Sequence, residues 1–201
     1  MDKQKLFNLI ERVGALIRVE ERKAAAALSL HPAHLQVLRY LAQCNRYSNT
    51  PVAVSDYFGT TKGSISQSLL ILQQHGYLQK EPDPKDQRLV HLVLTPKGKA
   101  LARNMDLTSL PNKEEIFKGL DTADLQAMQH VAEQLLYNIQ RVNQYQTFGQ
   151  CHTCQYLRIV GRNNFRCGLT QELLESDETL KICRDHAFPP ISRSSNLTIN
   201  Q

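Results

Sequence analysis

Four cysteines near the C-terminal end form the most distinctive chemical pattern of this sequence. They are Cys151, Cys154, Cys167 and Cys183, so their spacing is C-x2-C-x12-C-x15-C, and His186 follows the last of them after two residues. A C-x2-C pair lets two thiolates bind one ion from a single tight turn, and two distant ligands complete a tetrahedron. We therefore expect the four cysteines to hold one metal centre, with His186 as an alternative to Cys183.

Two kinds of metal centre fit four thiolates, a zinc ion (Zn) and an iron–sulfur cluster. The C-x2-C pair with well-separated later ligands favours structural zinc, and it is also compatible with a [4Fe–4S] cluster. A cluster would make the chain a sensor of redox state, oxygen or nitric oxide. Two disulfides or idle thiols are the alternative without a metal, and a reducing compartment disfavours them.

The pattern of helices changes where the cysteines begin. Before the cysteines, apolar residues recur at helical spacing. The segment of roughly 35 residues around the cysteines has few large apolar groups, so it needs disulfides or a bound metal to fold. We place a domain boundary at about residue 148. The predicted parts are a helical domain over 1–147, a Cys-rich metal-binding module over 148–188 and a disordered polar tail over 189–201.

Start and stop signals divide the first part into elements. Prolines at first helical positions, an aspartate cap at Asp121 and glycines after helix ends mark the boundaries. The region Met105–Lys118, which contains Pro111, is expected to be less regular than the helices on either side. The predicted helices span 3–27, Pro32–Cys44, Pro51–Phe58, Thr61–His75, Pro96–Asn104 and Thr122–Gln146, and the predicted strands span Leu78–Glu81 and Leu89–Leu94.

Two of these helices and the two strands suggest a DNA-binding arrangement. A short helix ends at Gly59, Thr60 caps the next helix, and a hairpin follows across the turn Pro82–Asp86. Two helices joined by a tight turn and followed by a hairpin have the layout of a winged helix-turn-helix, whose second helix fits the DNA major groove. The predicted helix Pro32–Cys44 precedes this arrangement, and its apolar face would hold Leu35, Leu38, Leu41 and Ala42.

At this point the sequence resembles the MarR-type transcriptional regulators. The resemblance lies in VSDYFGTTKGSISQSLLILQQHGYLQK and DPKDQRLVHLVLTPKGKAL, and it covers roughly residues 1–147. The second piece is more specific, because it carries the family's D-x-R at the wing (Asp86 to Arg88) and the leucine-threonine-x-x-glycine that follows (Leu94 to Gly98). The helices over 3–27 and about 100–146 fall where that family keeps its dimerisation helices.

The resemblance implies a fold and a set of contacts. The fold class is mainly α (α+β): a winged helix-turn-helix with a two-stranded β-wing, long dimerisation helices and, here, a small Cys-rich C-terminal module. A homodimer would place two recognition helices in successive major grooves of double-stranded DNA. Arg88 aligns with the arginine that enters a minor groove, and Asp86 with the aspartate that steers it. The expected DNA contacts are Thr61, Lys62, Ser64, Gln67, Lys85, Asp86 and Arg88.

The resemblance also has departures and additions. The family often has arginine where this chain has Gln67 and Ile71, so Lys62 is the one formal cation of the recognition helix. Many members respond to small aromatic acids bound between the DNA-binding and dimerisation parts, and others respond through a reactive cysteine. A small-molecule effector is therefore expected as a partner. Cys44 is a sensor candidate, although a lone cysteine at the end of an apolar helix is more often a buried hydrophobe.

Charge and composition narrow the function classes. Residues 1–105 carry 15 Lys and Arg against 8 Asp and Glu, which weakly favours a polyanionic partner. No apolar run approaches the roughly 18–20 residues of a membrane helix, and charges cross the N-terminal segment, which does not resemble a secretory signal. We expect a cytoplasmic chain with no membrane partner.

The sequence does not predict an enzyme. Four cysteine ligands would fill the coordination sphere of a metal and leave no open catalytic position. The chain has no phosphate-binding loop, no G-x-S-x-G and no metal-hydrolase motif, and its C-x-x-C lacks the βαβ context of a dithiol enzyme. A winged helix used for protein contacts alone, as an interaction adaptor, is a further alternative.

Overall fold

The computed structural model describes residues 2–104, 113–144 and 146–189. Helices dominate the first part, and short strands dominate the part after residue 148. In chain order the elements are α1 (Lys3–Ala27), α2 (Pro32–Gln43), α3 (Pro51–Phe58), α4 (Lys62–Gln74), β1 (Leu78–Pro82), β2 (Val90–Leu94), α5 (Pro96–Asn104), α6 (Lys113–Ile116), α7 (Thr122–Val142), β3 (Gly149–Gln150), β4 (Leu157–Gly161), β5 (Asn164–Cys167), β6 (Leu173–Leu174) and β7 (Ile182–Cys183).

Local capping explains where the helices of the first part begin. The Thr50 side chain accepts a hydrogen bond from the Ala53 amide at the start of α3, and Asp121 and Asp124 cap each other's amides at the start of α7. The prediction that Thr60 caps α4 was wrong. Thr61 is the N-cap, because its hydroxyl oxygen accepts the Ser64 amide at 3.2 Å. The predicted α7 also ends earlier, at Val142 rather than Gln146.

A single core holds the winged helix together. The Ala42 side chain, predicted on the inner face of α2, is exposed, and Val37 and Tyr40 are buried in its place. On α4, the apolar residues Ile65, Leu69 and Leu72 are all buried. The largest fully buried side chains are Leu35, Leu38, Leu69, Leu72, Leu78, Leu92, Val37 and Val54.

The wing is an antiparallel pair that is anchored at both ends. In β1 and β2, Leu78 pairs with Leu94 at the base and Pro82 pairs with Val90 at the tip. At the base, the Thr95 hydroxyl donates to the Gly76 carbonyl at 2.7 Å. A Cβ on Gly98 would lie 1.9 Å from the Tyr77 carbonyl oxygen, so only glycine allows α5 to pack this closely.

Helices α1 and α7 present apolar faces that the described part of the chain does not cover. None of the described residues of α7 is buried, and an apolar stripe of α1 is exposed along the helix. The exposed apolar side chains of the two helices include Leu6, Ile10, Val13, Ile17, Leu125, Met128, Val131, Ile139 and Val142. These faces remain available for a partner surface.

The C-terminal part is built from small sheets that contact the winged helix. Strands β4, β5 and β6 form one antiparallel sheet, and β3 pairs with β7. Phe148, at the predicted boundary, is buried in the core of the winged helix against the rings of Tyr40 and Tyr57. The cysteine-containing segment is therefore packed onto the first part rather than separated from it.

Some sequence predictions fall outside the described residues. Residues 105–112 of the predicted looser region and residues 190–201 of the predicted tail lie there, whereas α6 forms at 113–116. Among the described residues, no helix combines the length and apolar character that crossing a membrane requires.

Candidate functional site

The tip of the wing carries an oriented arginine. Asp86 Oδ1 lies 3.0 Å from Arg88 Nε, and Oδ2 lies 3.2 Å from its Nη2. The Arg88 amide also donates to Asp86 Oδ1 at 3.1 Å. The hydrogen bonds from Arg88 lower the pKa of Asp86, and the same carboxylate raises the pKa of Arg88. The side chain of Arg88 is 92% exposed, so the guanidinium is held in a defined direction and is open to a partner.

Asp83 shapes the loop on which this arginine sits. Its Oδ1 atom accepts the amides of Lys85 and Asp86 at 2.7 and 2.9 Å. Its Oδ2 atom lies 2.9 Å from His91 Nε2, and His91 Nδ1 lies 2.6 Å from Asn49 Oδ1. These hydrogen bonds, first the one from His91, lower the pKa of Asp83 to about 2. The wing tip is thus tied to the α2–α3 connection.

The outer face of α4 presents the predicted polar residues. The side chains of Thr61, Lys62, Ser64 and Gln67 are all exposed, while Ile65 points into the core. Thr61 and Ser64 are also used in the N-terminal cap, since their hydroxyl oxygens lie 3.1 Å apart. Lys85 and Asp86 are exposed on the wing as well. All seven predicted DNA contacts therefore lie on the surface, and they belong to α4 or to the wing loop.

The four C-terminal cysteines come together around one cavity of about 40 Å³. Cys151, Cys154, Cys167 and Cys183 line it, together with Asn45 and Tyr47 of the α2–α3 connection. All four are free thiols, so the disulfide alternative is not formed. Hydrogen bonding from the Cys151 thiol lowers the pKa of Cys183 and raises that of Cys151.

The four sulfur atoms around this cavity do not surround one position that an ion could occupy. Among the described residues, no group of three or more His, Cys, Asp or Glu side chains is arranged to hold a metal ion. Zn–S bonds of about 2.3 Å in a tetrahedron place the sulfurs roughly 3.8 Å apart. Binding of one ion would therefore draw the thiols inward.

His186 lies apart from the cysteine cavity. Its ring is buried against Gly149 and Phe188, and its Nε2 atom lies 3.0 Å from the Thr153 hydroxyl. Burial lowers the pKa of His186. A Cβ added at Gly149 would lie 2.8 Å from the nearest carbon atoms of this ring, so the ring packs directly against the glycine. In this arrangement the histidine packs the module, and its proposed role as a ligand would require it to leave that position.

Cys44 does not line the cysteine cavity, although it lies close to the module. It forms an isolated bridge with Ile182, and its thiol lies 3.8 Å from the Leu41 carbonyl oxygen. Burial raises the pKa of Cys44 to about 12. A thiol that stays protonated at neutral pH is a poor nucleophile, which favours a packing role over a sensor role.

A second cavity of about 260 Å³ lies between α1, α2 and α3. Its polar wall includes Glu21, Gln36 and Arg39, and Tyr57 and Phe58 form part of its apolar wall. Glu21 accepts hydrogen bonds from Arg39 at 3.0 Å and from Gln36 at 2.9 Å. Arg39 Nε is buried without a hydrogen-bond partner in the described part of the chain. The cavity therefore has one wall with a paired cation and carboxylate and one wall with aromatic rings.

Several functional contacts were not predicted from the sequence. His91, Asn49 and Asp83 are far apart in sequence, and nothing in their spacing joins them. The same holds for Asn45 and Tyr47, which belong to a polar loop before α3 but form part of the cysteine cavity. The sequence marks Asp83 only as a turn residue, because the groups that donate to its carboxylate come together only in the folded chain.

Comparison with known proteins supports the winged helix. Residues 28–89 match the model of the MarR family, from the end of α1 to the wing loop. Proteins of that family are regulators of transcription and not enzymes. No curated protein matches the chain.

Solved structures show the same fold over about two thirds of the chain. FabT of Streptococcus pneumoniae, crystallised in complex with DNA, has a TM-score of 0.58 at 22% identity and covers 70% of this chain and 99% of its own. A MarR regulator of Methanosarcina mazei Go1 reaches 0.59 at 21%, with the same two coverages. A MarR family regulator of Silicibacter pomeroyi reaches 0.55 at 24%, covering 65% of this chain and 87% of its own.

Proposed function

We propose that this chain is a sequence-specific DNA-binding regulator of transcription that acts as a homodimer. The observation that carries the proposal is the Asp86–Arg88 pair at the wing tip. A guanidinium is attracted by the focused negative potential of a narrow minor groove, and Asp86 restricts the directions in which Arg88 can point. The wing would enter the minor groove while α4 occupies the adjacent major groove.

The composition of α4 supports a division of roles between the helix and the wing. Lys62 contacts a phosphate, and Gln67 reads a base edge, because an amide can donate to and accept from adenine. The helix N-terminus adds a positive dipole end near Thr61 and Ser64, which suits a phosphate. With one lysine on α4, a larger share of the affinity falls to Arg88 and Lys85.

The exposed faces of α1 and α7 support the homodimer. A solvated monomer would leave two long apolar stripes in water, and burying them between two copies is favourable in proportion to the area removed from water. The paired copy would set the spacing of the two α4 helices along the DNA.

The cysteine cavity supports a metal centre in the C-terminal module. Four free thiols from separate strands and turns line one cavity, and four thiolates satisfy either a structural zinc ion or an iron–sulfur cluster. The cluster version makes the regulator a sensor of redox state or oxygen. The cavity beside Arg39 is where a small-molecule effector would bind.

Two other function classes fit the structure less well. An interaction adaptor has no need of an arginine oriented by a carboxylate at an exposed hairpin tip. A dithiol enzyme would need an accessible reactive pair in a redox fold, whereas these thiols face a small cavity behind Tyr47.

Selection of duplexes from a random pool, followed by a gel shift at several salt concentrations, tests the proposal. The full chain should enrich a near-palindromic site, and Arg88→Ala should weaken binding to it by about 1–3 kcal/mol and lower the salt slope. Arg103→Ala, which removes the same charge from the end of α5, is the matched control and should change the affinity little. Recovery of no common sequence, or equal binding by Arg88→Ala, would contradict the proposal.

A further inference from the structure

Cys183 is held between two hydrogen bonds to the α2–α3 connection, which leads into the helix-turn-helix. The residue before it, Ile182, accepts the Asn45 amide on its carbonyl at 2.9 Å. The residue after it, Arg184, donates its own amide to the Ser48 hydroxyl at 2.8 Å. That hydroxyl donates to Asn45 Oδ1 at 2.7 Å, which closes the network on the α2–α3 connection. A shift of Cys183 therefore cannot leave this connection unchanged.

The same segment reaches the first helix of the helix-turn-helix. Arg184 Nη2 lies 3.1 Å from Asp56 Oδ2 on α3, and both side chains are half-buried. Ser48 is fully buried, and its carbonyl accepts the hydroxyl of Tyr40 at 2.8 Å. Tyr40 and Tyr57 in turn pack on Phe148 at the entry to the module. The contacts run from a cysteine to α3 without a break.

The cysteine cavity lies at this interface rather than inside a separate module. Asn45 and Tyr47 complete its wall, and Arg46 between them pairs with Glu172 of the module. Closing four thiols on one centre would move Cys183 relative to Asn45. Removing the centre would release a segment with too little apolar area to hold its own loops.

We propose that the four-cysteine cavity is a second effector site of this regulator, separate from the cavity beside Arg39, and that a thiolate-bound metal centre there sets DNA affinity through the Arg184–Asp56 and Arg184–Ser48 contacts. The inference rests on the proposed DNA-binding function. The loaded centre holds the α2–α3 connection, and with it α3 and α4, in the arrangement that binds DNA. Loss of the centre loosens that arrangement and weakens binding.

The test compares loaded and metal-free forms of the full chain. The protein is purified without oxygen, its zinc, iron and sulfide contents are measured, and one portion is stripped with a chelator. Both portions are titrated with the duplex that the wild-type chain selects. We expect the metal-free form to bind at least roughly fivefold more weakly, which is the lower range of allosteric coupling. Zinc without colour or iron with a visible absorption band distinguishes the two centres.

An uncoupling variant separates communication from metal binding. Asp56→Ala removes the partner of Arg184 and leaves all four cysteines in place, so it should retain the metal and lose most of the affinity difference between its loaded and stripped forms. Glu115→Ala, which breaks the exposed ion pair with Lys118, is the control and should keep the full difference. The loaded and stripped forms of the same variant are compared, so the effect of the lost charge on DNA affinity cancels.

The outcomes distinguish the inference from the function on which it rests. Equal or tighter binding by the stripped form, with Arg88→Ala still defective, would overturn the effector site and leave the DNA-binding function intact. Absence of stoichiometric zinc or iron after anaerobic purification would also overturn it. If no duplex is selected, the proposed function fails, and metal content and amide hydrogen exchange at residues 45–58 still report whether the centre holds the connection.

Discussion

His91 Nε2 lies 2.9 Å from Asp83 Oδ2, so a residue of β2 fixes the first residue of the wing loop. The other ring nitrogen lies 2.6 Å from Asn49 Oδ1, and the backbone beside it continues the link, because the Leu92 amide donates to the Asn49 carbonyl at 2.7 Å. The wing is therefore joined to the α2–α3 connection as well as to its own base. This link positions Arg88 relative to α4.

Replacing His91 should detach the wing tip. His91→Phe keeps an aromatic ring of similar size and removes both side-chain hydrogen bonds, so we expect a loss of about 1–3 kcal/mol in the free energy of unfolding. The affinity for the selected duplex should fall as well, since Arg88 loses its fixed direction. Urea unfolding and a gel shift measure the two effects. Gln87→Ala, in the same loop, should leave the unfolding midpoint unchanged; an equal midpoint for both variants would contradict the prediction.

The ionised form of Asp83 should stabilise the wing in a defined range of pH. Its pKa is about 2 in the folded chain, below the usual value of about 3.9 for an unfolded chain. The stabilisation is thus fully present above about pH 4 and is lost as the pH falls toward 2. The stability difference between the wild-type chain and Asp83→Asn should shrink as the pH falls from about 4 toward 2. A stability difference that stays constant down to about pH 2.5 would show that the ionised Asp83 carboxylate is not its source.

Local signals predicted most of the winged helix, and they could not predict its long-range polar links. Thr50, Pro51 and Gly76 mark helix ends through their own backbone chemistry, so the ends could be predicted without knowledge of the fold. The displacement of the α4 cap by one residue reflects two adjacent threonines with equal capping ability. His91 and Asn49 meet only because β2 packs beside the α2–α3 connection, which no local pattern encodes.

Gly98 should be irreplaceable for a steric reason. An added Cβ would lie 1.9 Å from the Tyr77 carbonyl oxygen and 2.9 Å from its carbon, both in the backbone, which cannot turn away. We expect Gly98→Ala to destabilise the fold by about 3 kcal/mol or more, at the upper end of overpacking effects. Gly63→Ala is the control, since its nearest neighbour would be Thr61 Oγ1 at 3.9 Å, and alanine favours helix by about 0.5–1 kcal/mol. Equal unfolding midpoints for the two variants would contradict the packing argument.

A charge on the apolar face of α7 should dissociate the homodimer. Met128 is 55% exposed in the isolated chain and belongs to the stripe that we propose a second copy covers. Met128→Glu would bury an unpaired carboxylate in that interface, so the dissociation constant should rise at least roughly tenfold. Gln126→Glu places the same charge on the opposite side of the helix and should leave the dimer intact. Sedimentation velocity at micromolar concentration measures both, and a wild-type monomer there would refute the dimer.

The cysteine spacing predicts one metal centre on four thiols. The four cysteines line a single cavity, but no group of three or more of the described His, Cys, Asp or Glu side chains is arranged to hold an ion. What the spacing could not predict is where the cavity lies. The sequence predicts a boundary near Phe148 because helical periodicity ends there, yet the ring of Phe148 is part of the winged-helix core. A composition change identifies a different kind of segment, and it does not show whether that segment packs against its neighbour.

The thiols themselves provide the last prediction, with Cys44 as an internal control. In the metal-loaded chain, iodoacetamide at pH 8 should modify none of Cys151, Cys154, Cys167 and Cys183, and all four should react after a chelator removes the centre. Cys44, with its pKa of about 12, carries a thiolate in roughly one molecule in ten thousand at that pH and should stay unmodified in both forms. Mass spectrometry locates the labels, and amide hydrogen exchange should show residues 151–186 opening first while the Leu38 and Leu72 core stays protected, because that core does not depend on the metal. Four thiols that react equally fast before and after chelation would show that no metal holds them.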